Sequence, residues 1–206
     1  AGGGRKALET VKDTTSTGTI EIIQAGMTGG LTVYQKEPNM MRWDAEVMGM
    51  VMTQACDGQT AWGTNFQTGA TEAMPEPQAT EFKRGALGID SLLNPERYGI
   101  RYEAKGKEKI EGKDYIVLEQ TYADGFKATV YIDPNTYLTY KAKAKGISPM
   151  GGEAEVETIT SDYKKVNGFT VAHSIRVFYD GQEFIKMTFT KVTFNTGLED
   201  SLFKMK

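Results

Sequence analysis

The sequence predicts a mainly β protein built from antiparallel hairpins and interrupted by short helices. Gly-containing turn signals recur at Asp57-Gly58, Glu111-Gly112, Asp124-Gly125, Asn167-Gly168 and Asp180-Gly181. Each is flanked by runs rich in Thr, Val, Ile, Tyr and Phe, the pattern of strands meeting at tight reversals. Several of these runs also alternate apolar and polar residues with a period of two, which places alternate side chains on opposite faces of a sheet. Only two stretches depart from this rhythm.

In chain order, Arg5 to Val11 reads as a short helix after the glycines at 2–4. Strands are expected near 17–25, 31–37, 40–47, 49–56 and 60–66. The second departure runs from Pro77 to Asn94, bounded by Pro75 and Pro77 on one side and Pro95 on the other. Within it Phe82, Ala86, Ile89 and Leu93 fall on one stripe of a helix. Gly85 and Gly88 weaken that helix by about 1 kcal/mol each relative to alanine. Such a marginal amphipathic helix is either a fixed core element or a movable cover. Strands then resume near 100–109, 114–122, 126–132, 137–147, 153–163, 169–179 and 183–194.

The strand pairs predict two distinct faces. Lys141, Lys143 and Lys145 alternate with Tyr140, Ala142 and Ala144, and Glu153, Glu155 and Glu157 alternate with Ala154 and Val156. A hairpin closed near Pro149-Met150 sets the Lys and Glu rows opposite each other on the wet face. Small side chains line the dry face and leave room above the sheet. In the last hairpin Val171, Ile175 and Val177 share a face with Ile185, Met187 and Phe189, and His173 reads as a packed residue of that row. Met48, Met50 and Met52 form a third row. Methionine suits a surface that accepts variable apolar partners, with ordinary core filling as the alternative.

At 206 residues the chain suits one domain, residues 1–206, able to bury roughly 70% of its unfolded surface. The balance of 24 basic against 27 acidic residues, net −3, argues against a nucleic-acid partner. Cys56 is the only cysteine and His173 the only histidine, so no disulfide or Cys/His metal set forms within the chain, and no cofactor is expected. Cys56 reads as a small buried hydrophobe, because the run 54–57 offers no base to lower its pKa. No run approaches the roughly 18 apolar residues of a membrane span. The opening Ala1-Gly2-Gly3-Gly4 has no initiator Met, which fits an exported chain whose signal peptide has been removed. Neither a nucleophile elbow nor a phosphate loop is present. Catalysis is not expected; a lipid-modifying enzyme would have to rely on His173 with a neighbouring carboxylate.

Two segments carry a family resemblance. Gln35-Lys36-Glu37-Pro38-Asn39-Met40-Met41-Arg42-Trp43 is similar to the Lys-x-Pro-Asn-x-x-x-Trp stretch of LolA-type periplasmic lipoprotein carriers. Asp57-Gly58-Gln59-Thr60-Ala61-Trp62 resembles that family's Asp-Gly-x-Thr-x-Trp turn and strand, and Asp200-Ser201-Leu202-Phe203 resembles the end of related lipoprotein-sorting proteins. The resemblance implies an open, incomplete antiparallel β-barrel covered by an α-helical lid. It further implies a monomer in the periplasm that holds acyl chains of lipoproteins or lipids in an apolar cleft, for transfer toward the outer membrane. Inner-membrane export and outer-membrane acceptor components would be its partners. A lipid- or partner-sensing module on the same fold, like the envelope-stress regulators, is the alternative. The cleft and lid are expected to use Met41, Trp43, Met48, Met50, Met52, Trp62, Phe82, Ile89, Leu93, Ile175, Val177, Met187 and Phe189. Where the carrier has a lid-holding arginine before Pro-Asn, this chain has Glu37, so the lid-locking role is not carried over. A family aromatic after Pro-Asn corresponds to Met41.

Overall fold

A computed structural model describes residues 3–65 and 67–206. The expected reversals at Glu111-Gly112, Asn167-Gly168 and Asp180-Gly181 have both residues at positive φ, the geometry that lets a two-residue turn match strand twist. Met48-Gly49 does the same. These turns link short helix α1 (Arg5–Leu8) and strands β1 (Asp13–Ile22), β2 (Met27–Lys36), β3 (Met40–Val47), β4 (Met50–Cys56), β5 (Ala61–Thr64) and β6 (Thr71–Ala73). Helices α2 (Gln78–Gly85) and α3 (Ile89–Leu93) follow. The chain continues through β7 (Arg101–Ile110), β8 (Lys113–Thr121), β9 (Lys127–Ile132), β10 (Thr139–Ile147), β11 (Glu153–Val166), β12 (Phe169–Tyr179) and β13 (Gln182–Phe194).

All thirteen strands lie in one antiparallel sheet, ordered β6-β5-β4-β3-β2-β1-β13-β12-β11-β10-β9-β8-β7. The first six strands run one way from the centre, the last seven the other way, and β1 pairs with β13 to join them. The edges β6 and β7 do not meet, so the barrel is open and incomplete. Chain connectivity then accounts for the lid: the segment leaving β6 has to travel to the far edge β7, and α2 and α3 lie on that crossing.

Register defines the two faces. Ile20 faces Met187, Met187 faces Ile175, and Ala45 faces both Leu31 and Met52. These residues point to the concave side, where Ile20, Leu31, Ala45, Val47, Phe189 and Val192 are buried together. Each is 9% exposed or less, so this part of the concave side is packed by its own side chains. On the convex side Lys143 stands opposite Glu157 and Lys145 opposite Glu155, as the alternating rows predict. Ion pairs run from Lys143 to Glu157 (2.6 Å) and from Lys145 to Glu153 (3.1 Å). The Lys145–Glu153 pair is exposed and adds little stability, while the Lys143–Glu157 pair is half-buried.

The structure departs from the sequence reading at several elements. Strand β2 begins at Met27 rather than 31, because Gly29 lets the backbones close up: a Cβ there would lie 2.1 Å from the carbonyl oxygen of Glu46. Strand β1 begins four residues early, at Asp13. Strand 60–66 ends at Thr64, and its residue 66 is outside the described residues. The three-residue edge strand β6 was not expected. The N-terminal helix is shorter than Arg5 to Val11. The helix expected over 77–94 is two helices, broken at Ala86-Leu87-Gly88.

Candidate functional site

The break between α2 and α3 arranges the lid. Helix α2 buries Ala79, and Ala86 follows at its C-cap; with Phe82, they pack on Cys56, Ala61, Met41 and Met74. Those partners belong to the concave face, since Met41 pairs with Cys56 and Cys56 with Ala61. The far end of α2 is tied by Arg84, which pairs with Asp124 at 2.5 Å and stacks 3.9 Å above the Phe126 ring. Gln35 donates to the carbonyl of Ala86 at 2.8 Å.

Glu37 supplies the third tie. Its carboxylate accepts the backbone N–H groups of Ile89 (2.8 Å) and Asp90 (3.0 Å), and the Pro38 carbonyl accepts that of Gly88 at 2.9 Å. The first N–H groups of a helix have no partner within it, and its positive end favours an anion. Gly88 leaves room for this contact, because a Cβ there would lie 2.3 Å from the carboxylate and displace it. An acid thus ties α3 to the segment between β2 and β3, through the helix terminus rather than through a cationic side chain.

A cavity of ≈ 600 Å³ opens beneath the N-terminal half of α2. One wall is Gln54, Gly63, Thr64 and Asn65 from β4, β5 and the chain beyond. The lid contributes Gln78, Glu81 and Phe82, with Met74 and Pro75 before it, and the opposite wall is Ile147, Ser148, Pro149 and Tyr179. Glu72 and Glu81 are the charged residues in its lining. Burial pushes the Tyr179 phenol up, and the negative charge of Glu81 adds to that shift. A second cavity, ≈ 340 Å³, lies between α1 and α3, where Leu8, Val11, Pro38, Ile89 and Leu93 mix with Glu9, Glu37 and Arg97.

The expected site residues divide among five places. Met41 and Phe82 meet at the lid, and of the thirteen residues named from the sequence Phe82 is the one that lines the larger cavity. Trp43, Ile175, Met187 and Phe189 belong to the self-packed concave core, and Val177 shares their face opposite Ile185. Met48 and Met50, 78% and 50% exposed, sit at the β3–β4 hairpin tip. Met52 faces Ala45. Ile89 and Leu93 turn toward α1 and the smaller cavity, because the helix break rotates them away from the Phe82 stripe. Trp62 points to the convex side: it pairs with Ala55, one residue out of phase with Cys56, and its indole N–H donates to the Phe203 carbonyl at 2.7 Å. Its role here is to fasten the C-terminal segment. Reading from sequence missed Gln54, Tyr179, Ile147 and Glu81, which come together from four distant segments; only the Met74-Pro75 step before the lid carries a local signal.

The sequence matches no protein-family model and no curated protein sequence. Solved structures do match. A domain described as an outer membrane lipoprotein-sorting protein from Vibrio parahaemolyticus superposes with a TM-score of 0.62 at 18% identity, over 96% of this chain and 92% of that one. A DUF1329 family protein from Desulfovibrio piger ATCC 29098 gives 0.68 at 14% identity, over 97% and 92%. A LolA superfamily protein from Nitrosomonas europaea gives 0.63 at 14% identity, over 94% and 89%. At these identities the likeness is one of fold: a LolA-like open barrel. Among the described residues no helix is long and apolar enough to cross a membrane.

Proposed function

We propose that this LolA-like protein is a periplasmic carrier that takes acyl chains of lipoproteins or lipids beneath its lid, for transfer toward the outer membrane. The observation that carries this reading is the ≈ 600 Å³ cavity between α2 and the barrel wall, beside a concave core that is filled by its own side chains. A void of that size is typical of small-ligand sites. Phe82, Met74, Ile147 and Pro149 supply apolar lining, and each buried methylene of a guest is worth about 0.8 kcal/mol without any directed contact. Binding rather than catalysis is the expected chemistry.

The lid fits a cycle of capture and release. Its far end is tied by Arg84, Gln35 and Glu37, while the half facing the cavity follows Pro75 and Pro77 and packs through Ala79 and Phe82. Export and acceptor proteins at the two membranes would act on these ties. To test the reading, the protein is purified from a membrane-containing host and weighed by native mass spectrometry, where lipid adducts are expected. After delipidation it should bind an acylated peptide at micromolar concentrations. Failure to bind that peptide overturns the carrier reading, and a stably retained protein partner without lipid would favour sensing instead.

A further inference from the structure

We infer that the cavity selects amphiphiles whose polar end is uncharged or cationic and turns away anionic heads; this rests on the acyl-binding reading above. The lining holds two carboxylates, Glu72 and Glu81, and no lysine or arginine among the described residues. Neither acid is neutralised: Glu72 accepts from the Asn65 amide at 3.2 Å, and among the described residues Glu81 has no ion-pair partner. The nearby cations are committed elsewhere. Arg84 binds Asp124, and Lys143 and Lys145 bind their glutamates on the convex face. Lys83, also on α2, is not among the residues that line the cavity.

The position of Glu81 makes this charge matter. On the lid it projects across the cavity: a Cβ on Gly146 of β10 would lie 3.2 Å from its carboxylate oxygen, and its charge is felt by the Tyr179 phenol. A guest seated there meets an acceptor-only group that asks for a donor. The remaining polar side chains, from Gln54, Thr64, Asn65, Gln78, Ser148 and Tyr179, can both donate and accept, as hydroxyl, amide or ester heads require. An acyl group joined by ester or amide satisfies this lining. A free carboxylate or phosphate does not, because like charges at close range in a partly desolvated site repel.

The test compares three lauryl amphiphiles on the delipidated full chain by titration calorimetry near neutral pH: dodecylamine, monolaurin and laurate. Dodecylamine and monolaurin should bind, with laurate about tenfold weaker or more. Glu81→Gln should narrow the gap between dodecylamine and laurate, and Glu72→Gln provides a second variant at an exposed strand position. Equal affinity for laurate and dodecylamine, or an unchanged gap in both variants, overturns charge selection while leaving acyl binding standing. If none of the three binds, the acyl-binding reading falls and this inference with it.

Discussion

Asp13 shows how one side chain can organise the return of the chain. It is 3% exposed, and its carboxylate accepts the N–H groups of Thr196 and Gly197 and the Thr196 hydroxyl at 2.7–2.9 Å. Burial alone raises its pKa, but these donors, with a further one from Leu198, outweigh it and hold the carboxyl below the ordinary 3.8. The ionised form is therefore favoured by folding, and its contribution is complete above that value and lost as pH falls through the depressed one. Asp13→Asn should cost about 3 kcal/mol in urea denaturation at neutral pH, and the deficit should shrink when the melts are repeated in acid. An equal deficit at both pH values would refute the charge-based account. Cys56 illustrates the opposite case. Its thiol is 1% exposed and burial pushes its pKa up, so a maleimide should label it only under denaturing conditions; prompt labelling of the native protein would contradict this packing.

At the scale of elements, the latch between the β2–β3 turn and α3 makes the sharpest prediction. Glu37 and Gly88 depend on one another: the carboxylate fills the space that a side chain at 88 would need. Glu37→Ala should cost about 1–2 kcal/mol by leaving the Ile89 and Asp90 N–H groups without their acceptor. Gly88→Ala should cost a similar amount by expelling the same carboxylate. The double variant should be clearly less destabilised than the sum, since both changes remove one interaction. Additive costs would mean that the latch is not the shared element. Amide hydrogen exchange at Ile89 and Asp90 provides an independent readout, expected to rise in Glu37→Ala.

At the scale of the molecule, an open sheet has two edges to protect and two faces to cover. Edge β6 is three residues long, and edge β7 carries Arg101, Glu103, Lys105, Lys107, Glu108 and Lys109 with a register shift next to Gly106. Short length, charge and a bulge all discourage pairing with another chain. Part of the concave face is covered by the lid. Part of the convex face is covered by the C-terminal segment, where Phe203 is fully buried, Trp62 donates to its carbonyl, and Arg42 donates to that of Leu202 at 3.0 Å. Phe203→Ala should cost about 3–5 kcal/mol and lower the melting temperature by several degrees. A loss below about 1 kcal/mol would show that this strap is dispensable.

The succession of strands along the chain, most hairpin positions and the Lys/Glu face were legible in the sequence because they depend on local signals: turn dipeptides and a period of two. Twelve of the thirteen strands and the site of the lid follow from such signals, and the exception, β6, is too short to show a period. The cavity was not legible. Gln54, Glu81, Ile147 and Tyr179 line one cavity only because β1 joins β13 and the chain crosses from edge to edge over the concave face. Register put Trp62 one residue out of phase with Cys56 and so on the convex side, while the curvature of the sheet placed Trp43, Ile175, Met187 and Phe189 in a core that fills itself. Side-chain alternation determines which residues share a strand face. Only the curvature of the assembled sheet decides which of those faces are filled by a neighbouring wall and which are left open, because that depends on contacts between residues far apart in sequence.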